Sequence, residues 1–178
     1  MSISSAPLNQ NLAQPSKFLL SFDRLPEMTY FCTDANIPGV NVGEATQVNP
    51  LIDAPIPGDK MVHEPFEVTF LIDEELLAWE SVIRWIKGYS FPENTDQYKN
   101  LSVQKRLQLS TNGDPRAQYS DALLTIYSNK YNPLLQISFT DMFPVSLTGI
   151  RFSTSETAFS VMSASAVFKY TNYDIKRF

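Results

Sequence analysis

Residues Phe66–Lys87 have the sequence FEVTFLIDEELLAWESVIRWIK, which changes from a strand pattern to a helix pattern near Asp73. In the first part every second residue is apolar, as in a strand with one buried face. The buried face is predicted to carry Phe66, Val68, Phe70 and Ile72, and the other face Glu67, Thr69 and Leu71. This stretch therefore predicts a half-buried strand that leads directly into a helix.

The second part predicts one amphipathic helix. Asp73 offers an N-cap oxygen, and Glu74 and Glu75 follow where the helix dipole favours negative charge. Gly88 is expected to end the helix after Lys87. Apolar residues recur at helical spacing, so one stripe of the helix must pack against a sheet. This stripe consists of Leu76, Trp79, Val82, Ile83 and Ile86.

Strand patterns lie on both sides of this unit. On the N-terminal side, Lys17–Phe22 and Met28–Thr33 flank the sequence DRLPE, which predicts a hairpin. On the C-terminal side four strands are predicted, at Ala122–Lys130, Leu134–Met142, Val145–Phe152 and Ser160–Tyr173. Pro144 has no N–H, so the Phe143–Pro144 pair is expected to end one strand before the next begins.

The order of these elements predicts a mainly β fold, an antiparallel β-sandwich or barrel with one flanking α-helix. A chain of 178 residues suits one core, so residues 17–178 are expected to form a single domain. Residues 1–16 are polar and are expected to form a mobile N-terminal arm. Residues 89–116 show no sustained period and are interpreted as an insertion.

The segment 36–60 is rich in proline and glycine, which interrupt regular elements. It is expected to form an extended loop or a ragged hairpin with its tip at Pro57–Gly58. Leu51, Ile52 and Ile56 would then be exposed unless something covers them. An inert excursion and a contact surface are equally good interpretations of this pattern.

Composition excludes several kinds of function. The formal net charge of −5 argues against a surface that grips nucleic acid, which needs clustered cations to displace counterions. A lone Cys32 and a lone His63 can form neither an internal disulfide nor a zinc tetrahedron. No apolar run is long enough to span a bilayer and no signal-peptide pattern is present, so we expect no membrane partner and synthesis in the cytoplasm.

No catalytic, cofactor-binding or metal-binding residue is predicted. His63 beside Glu64 is interpreted as a surface or loop histidine, and Cys32 as a small buried hydrophobic residue. Capping explains the carboxylates of Asp73, Glu74 and Glu75, and the two tryptophans are expected in the core. Phosphate-binding glycine loops and hydrolase motifs are absent, which disfavours an enzyme.

Four pieces of sequence occur together in a familiar order. They are YFCTDANIPG at 30–39, the strand–helix unit with Trp79 and Trp85, FPVSLTGIRFS at 143–153, and the alternating strand SVMSASAVFKYTNYDI at 160–175. In this order the chain resembles the tail tube protein family of T-even-type contractile-tailed bacteriophages. The insertion at 89–116 and the polar arm are longer than a plain tube subunit of that family needs.

The resemblance implies a structural virion protein, assembled in the host cytoplasm, whose copies close into hexameric rings. The rings would stack into a hollow tube through which DNA passes, in contact with sheath, baseplate or terminator proteins. The resemblance also implies that one segment of the chain makes the contacts between stacked rings. Its residues are Pro50, Leu51, Ile52, Pro55, Ile56, Pro57, Gly58, Asp59 and Lys60. The small polar face of the last strand, with Ser163 and Ser165, is expected to line the lumen.

Several functions stay open at this point. The chain is either the repeating tube protein or a specialised ring, such as a baseplate tube initiator or a tail-completion protein. A β-sandwich adaptor that binds through the aromatic patch Tyr89–Tyr98 is an alternative of another class.

Overall fold

The computed structural model describes residues 16–90, 118–153 and 161–178, which form antiparallel sheets with two helices. The predicted mainly β fold is confirmed. The elements are β1 Phe18–Phe22, α1 Met28–Phe31, β2 Cys32–Ala35, β3 Val40–Gln47, β4 Ala54–His63, β5 Phe66–Leu71, α2 Leu77–Ser90, β6 Ser120–Tyr127, β7 Pro133–Leu147, β8 Ser163–Lys169 and β9 Asn172–Arg177.

The long strand β7 connects the two halves of the main sheet. Its first half pairs with β6 and β9, and its second half pairs with β8, which continues through β5 to β2. Between the halves Asp141 has a φ of 54°, and its N–H donates to the Asp121 carboxylate at 3.1 Å. The strand therefore bends and passes from one sheet layer to the other.

The predicted break at Phe143–Pro144 is wrong, because Pro144 lies inside β7 opposite Phe168. The Pro144 carbonyl points away from β8 and accepts a hydrogen bond from the Tyr89 hydroxyl at 2.6 Å. The N and C=O of one strand residue point to the same side, so the missing N–H of Pro144 costs no bond to β8. A proline at such a position leaves the strand intact.

The core lies between the two sheet layers and α2. The predicted alternation of β5 is confirmed, since Phe66, Val68 and Phe70 are buried. Trp85 of α2 closes one open side of the layers, and its indole N–H donates to the Gln118 carbonyl at 2.8 Å.

The predicted N-terminal hairpin is wrong. Met28–Phe31 is one turn of helix, β1 pairs with β6, and β2 pairs with β5. Leu25 and Met28, three residues apart, are both buried, and Pro26 favours the start of a helical turn. Helical spacing of two buried residues thus overrides the strand-like composition.

The predicted helix forms with different ends. It begins at Leu77, whose N–H donates to the Asp73 carboxylate at 3.2 Å, because Leu76 has a φ of 58° and leaves the helical path. Glu74 and Glu75 therefore precede the helix. Gly88 does not end it, since the helix continues to Ser90 with Gly88 buried.

The buried stripe of α2 differs from the predicted one. The fully buried residues are Ala78, Val82, Trp85 and Gly88, while Trp79 and Ile86 pack against the core from its margin. Leu76 is not part of the stripe because it precedes the helix, and the buried face is centred on Val82 and Trp85, not on Val82 and Ile83.

The predicted strand Ser160–Tyr173 is in fact two strands. β8 ends at Lys169, the chain bends at Tyr170 and Thr171, and β9 runs on in the same direction along the first half of β7, in the other sheet layer. Of the predicted insertion only Tyr89 and Ser90 are described, both in α2, and of the predicted arm only Ser16. The remaining residues of both segments lie outside the described ranges.

Candidate assembly surfaces

The most exposed element is the hairpin of β3 and β4, called the long hairpin below. Within the described residues these strands pair only with each other. The predicted tip at Pro57–Gly58 is wrong, because both residues lie in β4 and the strands are joined by residues 48–53. Proline is tolerated in β4 because the strand is at an edge, where an N–H pointing outward is dispensable.

The long hairpin exposes apolar side chains at its tip and on both faces. Leu51 is 94% exposed and Ile52 is 78% exposed. The strand register places Val42 and Met61 on one face and Ile56 on the other, and all three are exposed. Exposed apolar side chains grouped in this way are typical of interaction surfaces.

The residues predicted to stack rings all lie on this hairpin. Pro50, Leu51 and Ile52 are at its tip, and the others, Pro55, Ile56, Pro57, Gly58, Asp59 and Lys60, are in β4. The structure thus brings the predicted set together on one projecting element. Their role in stacking stays a prediction.

An irregularity divides the long hairpin into an inner and an outer part. The register moves from Val42–Met61 to Glu44–Pro57, so three residues of β4 face one of β3. Gly58 makes this possible, because a Cβ there would lie 2.7 Å from the carbonyl carbon of Gly43 and overlap its oxygen. A Cβ at Gly43 would meet nothing within 4 Å.

An aromatic cluster fixes the base of the long hairpin. The His63 ring lies 5.4 Å from Tyr170 and 5.5 Å from Tyr173, measured between ring centroids. The Tyr170 hydroxyl donates to the Glu64 carbonyl at 3.1 Å. Burial, with smaller effects of Tyr173 and Glu64, raises the pKa of Tyr170 to about 12, so this donor keeps its proton at neutral pH.

His63 is therefore a half-buried packing residue at the end of β4, and its interpretation as a surface or loop histidine is wrong. Its Nδ1 is buried and has no hydrogen-bond partner among the described residues. The rings of Tyr170 and Tyr173, more than 100 residues away in the sequence, decided this position, and no local sequence signal around His63 indicates them.

Ser163 and Ser165 lie on the face of β8 that points away from the core. The Ser165 hydroxyl is 3.1 Å from that of Thr69, and the Ser165 N–H donates to the Thr148 hydroxyl at 2.8 Å. Val167 and Lys169 lie further along the same face, so only its first part, around Ser163 and Ser165, is made of small hydroxyl side chains. Its location in a lumen stays a prediction.

The other residues weighed for chemistry have structural contacts. The Cys32 thiol donates to the Asp34 carbonyl at 3.5 Å, and burial, aided by the Asp34 charge, raises its pKa to about 11. Tyr89, the first residue of the aromatic patch, packs edge-on against Phe143. Residues 91–98 of that patch lie outside the described ranges. In the described part of the chain no group of three or more metal-ligating side chains occurs.

Sequence reasoning missed two strand edges. β3 and β9 each pair on one side only among the described residues. The alternation in VNV at 40–42 was a signal for β3, but the prolines of β4 obscured the pairing. β9 is short and polar, so its sequence alone gives little indication of a strand.

Over the described ranges, no helix is long and apolar enough to cross a membrane.

A sequence profile described as phage tail tube protein matches residues 2–176. This span includes nearly the whole chain. No curated protein matches the chain significantly.

Solved structures with a similar fold come from contractile injection systems. A chain of the anti-feeding prophage baseplate aligns with a TM-score of 0.63 at 9% identity, over 95% of this chain and 98% of that one. A chain of the anti-feeding prophage tube-terminating cap aligns with a TM-score of 0.57 at 12% identity over 100% of both chains. A chain of the sheath–tube complex of an extracellular contractile injection system aligns with a TM-score of 0.52 at 10% identity. The alignment covers 95% of this chain and 94% of that one.

Proposed function

This chain belongs to the phage tail tube protein family, and from that premise we propose that it is a ring-forming subunit of a contractile phage tail. Six copies would close into a ring, and rings would stack as the inner tube or cap one of its ends. The family is one of structural proteins, so the chain acts by assembly and catalyses no reaction.

The observation that carries this proposal is the exposure of the long hairpin. Leu51 and Ile52 at its tip and apolar residues on both faces have no cover within the described residues. Burial of a leucine or isoleucine side chain stabilises a contact by about 1.5–3 kcal/mol. When every subunit of a ring makes this contact with the next ring, the small contacts add up to a large stabilisation of the stack.

Six-fold closure is supported by the described symmetry of one similar structure, the six-fold symmetrised anti-feeding prophage baseplate. Within such a ring we assign the polar face with Ser163 and Ser165 to the lumen. Lys169 at the far end is the one cation of β8, so this face offers DNA phosphates few cationic partners and DNA would slide through.

A terminal ring is the second candidate. Two similar structures are a baseplate and a tube-terminating cap, which lie at the ends of a tube. Such a ring would contact baseplate, sheath or terminator proteins on one side. The two candidates differ in whether purified protein forms long tubes or stops at single rings.

Electron microscopy of the purified full chain tests the proposal. Hexameric rings, alone or stacked, are the expected result. A species that stays monomeric at high concentration and in the presence of the neighbouring tail proteins would refute it.

The stacking role of the tip is tested by Leu51→Asp, with Leu51→Met as the matched apolar control. The aspartate should leave ring formation and the melting temperature unchanged, because Leu51 is 94% exposed in the subunit. It should shorten or abolish stacks, since each contact loses about 2 kcal/mol of apolar burial. Normal stacks from the aspartate variant would contradict this role.

A further inference from the structure

Along β3, the N–H and C=O groups of successive residues point alternately toward β4 and away from it. The Glu64 N–H donates to the Gly39 carbonyl at 3.0 Å, next to the Val40–His63 pair. Hydrogen-bonded and non-hydrogen-bonded pairs alternate along an antiparallel ladder. Val40 and Val42 are therefore non-hydrogen-bonded positions, whose N–H and C=O groups point away from β4.

The prolines of β4 extend this assignment through the outer part of the long hairpin. Thr46 is opposite Pro55, and Glu44 is opposite Pro57. Proline has no N–H, so these are the non-hydrogen-bonded pairs, and the residues between them carry the bonds to β4. The backbone groups of Glu44 and Thr46 therefore also point outward.

The two outer edges of the long hairpin are consequently different. The β4 edge has no donor at Pro55 or Pro57 and is interrupted by the irregularity at residues 58–60. The β3 edge has no proline and presents outward N–H groups at every second residue from Val40 to Thr46. In the ranges that the structure describes, nothing but β4 pairs with β3. Only the β3 edge is complete enough to accept an added strand.

The charge of β3 indicates which strand of another copy fits this edge. Glu44 is its one charged residue, and it has no ion-pair partner in the described ranges. Besides β4, whose outer edge is incomplete, three strands pair on one side only among the described residues, namely β1, β2 and β9. β1 has no charge, and β2 carries Asp34, which would repel Glu44.

β9 offers the complementary charge and a suitable edge. β9 carries Asp174 in its middle and Lys176 and Arg177 at its end, so its net charge is +1, whereas β2 has no cation to offset Asp34. The Phe178 N–H donates to the Leu134 carbonyl at 3.3 Å, so by the same alternation Ile175 and Arg177 direct their backbone groups away from β7. β9 contains no proline, so its outer edge is complete.

We propose that β3 of one copy receives β9 of a neighbouring copy as an added strand, with Glu44 near Lys176 and Arg177. The contact joins different surfaces of two identical chains, so it is heterologous and repeats around a closed ring. This inference rests on the proposed ring function and names the surfaces that join within the ring.

Val42→Pro and Met61→Pro form a matched pair that tests the β3 edge. The two residues are directly opposite and similarly exposed, at 57% and 58%, and both are non-hydrogen-bonded positions. Each proline removes one outward N–H and leaves the bonds between β3 and β4 in place. Val42→Pro should raise the concentration for half-maximal ring formation about tenfold, the effect of one backbone bond per contact, whereas Met61→Pro should leave it unchanged.

The outcomes separate this inference from the proposed function. Wild-type chain that never forms rings refutes the ring proposal and removes the basis of the inference. Wild-type and Val42→Pro rings of equal stability leave the function standing and overturn the β3 edge. Equal losses in both proline variants also overturn it, because the effect would then come from hairpin distortion.

Charge reversal tests the identity of the partner strand. Glu44→Lys alone and the pair Lys176→Glu with Arg177→Glu should each weaken ring formation at low salt. The triple variant should restore it, because the charges are complementary again between copies. Loss of rings in all three variants, or no loss in any of them, would overturn β9 as the occupant.

Discussion

Gly58→Ala tests whether the geometry of the long hairpin controls assembly. The added Cβ would lie 2.7 Å from the Gly43 carbonyl carbon, whereas carbon atoms pack at about 3.5–4.0 Å. The two strands must therefore separate by about 1 Å at this point. Overpacking of this kind costs about 1–3 kcal/mol.

The substitution should destabilise the long hairpin and leave the stability of the core unchanged. The residues around Gly58 are exposed and none belongs to the buried cluster, so the melting temperature should change little. An isolated two-stranded hairpin is only marginally stable, so the strained one spends more time open. Ring or tube formation should then need about 5- to 150-fold more protein, which is the equivalent of 1–3 kcal/mol.

Sedimentation velocity over a concentration series measures the assembly shift, and hydrogen exchange at Ala45 and Ile56 reports hairpin opening without assembly. Gly43→Ala is the control, because a Cβ there meets nothing within 4 Å. If Gly58→Ala has the same hydrogen-exchange rates and assembles at the same concentration as the wild type, the reasoning is refuted. An equal loss in Gly43→Ala would also refute it, since glycine removal alone would then suffice.

Three further predictions concern the subunit. Ala166→Pro should prevent folding, because Ala166 is paired on both sides, with Val68 and Leu147, and proline removes a ladder hydrogen bond from this central strand; a native-like melting curve by circular dichroism would contradict this. Trp85→Phe should lower the free energy of unfolding by about 1–3 kcal/mol, because the half-buried Gln118 carbonyl loses its donor, and urea titration measures this. Burial raises the pKa of Cys32 from 9.0 to about 11, so the stability contributed by the neutral thiol is complete below pH 9.0 and declines as the pH rises toward 11. Iodoacetamide should label Cys32 at pH 8 more slowly in the folded protein than in the denatured protein. Equal labelling rates would contradict the raised pKa of the Cys32 thiol.

The sequence by itself determined the elements in which local pattern and burial agree. The alternation of Phe66, Val68 and Phe70 predicts β5 because a strand with one buried face must have period two. The apolar spacing around Val82 predicts α2 for the corresponding reason. The mainly β class follows from these elements and their order, and the polar face with Ser163 and Ser165 follows from the alternation in β8.

The tertiary structure alone decided which strands pair and what each proline does. Pro144 and Pro57 are strand breakers in a local view, but each occupies a position whose missing N–H would have pointed away from the partner strand. Which side a backbone N–H faces depends on the register with a strand distant in sequence. The same holds for the edges of β3 and β9 that pair with no strand in the described ranges. An edge is defined by the lack of a neighbouring strand, and no property of its own residues records that.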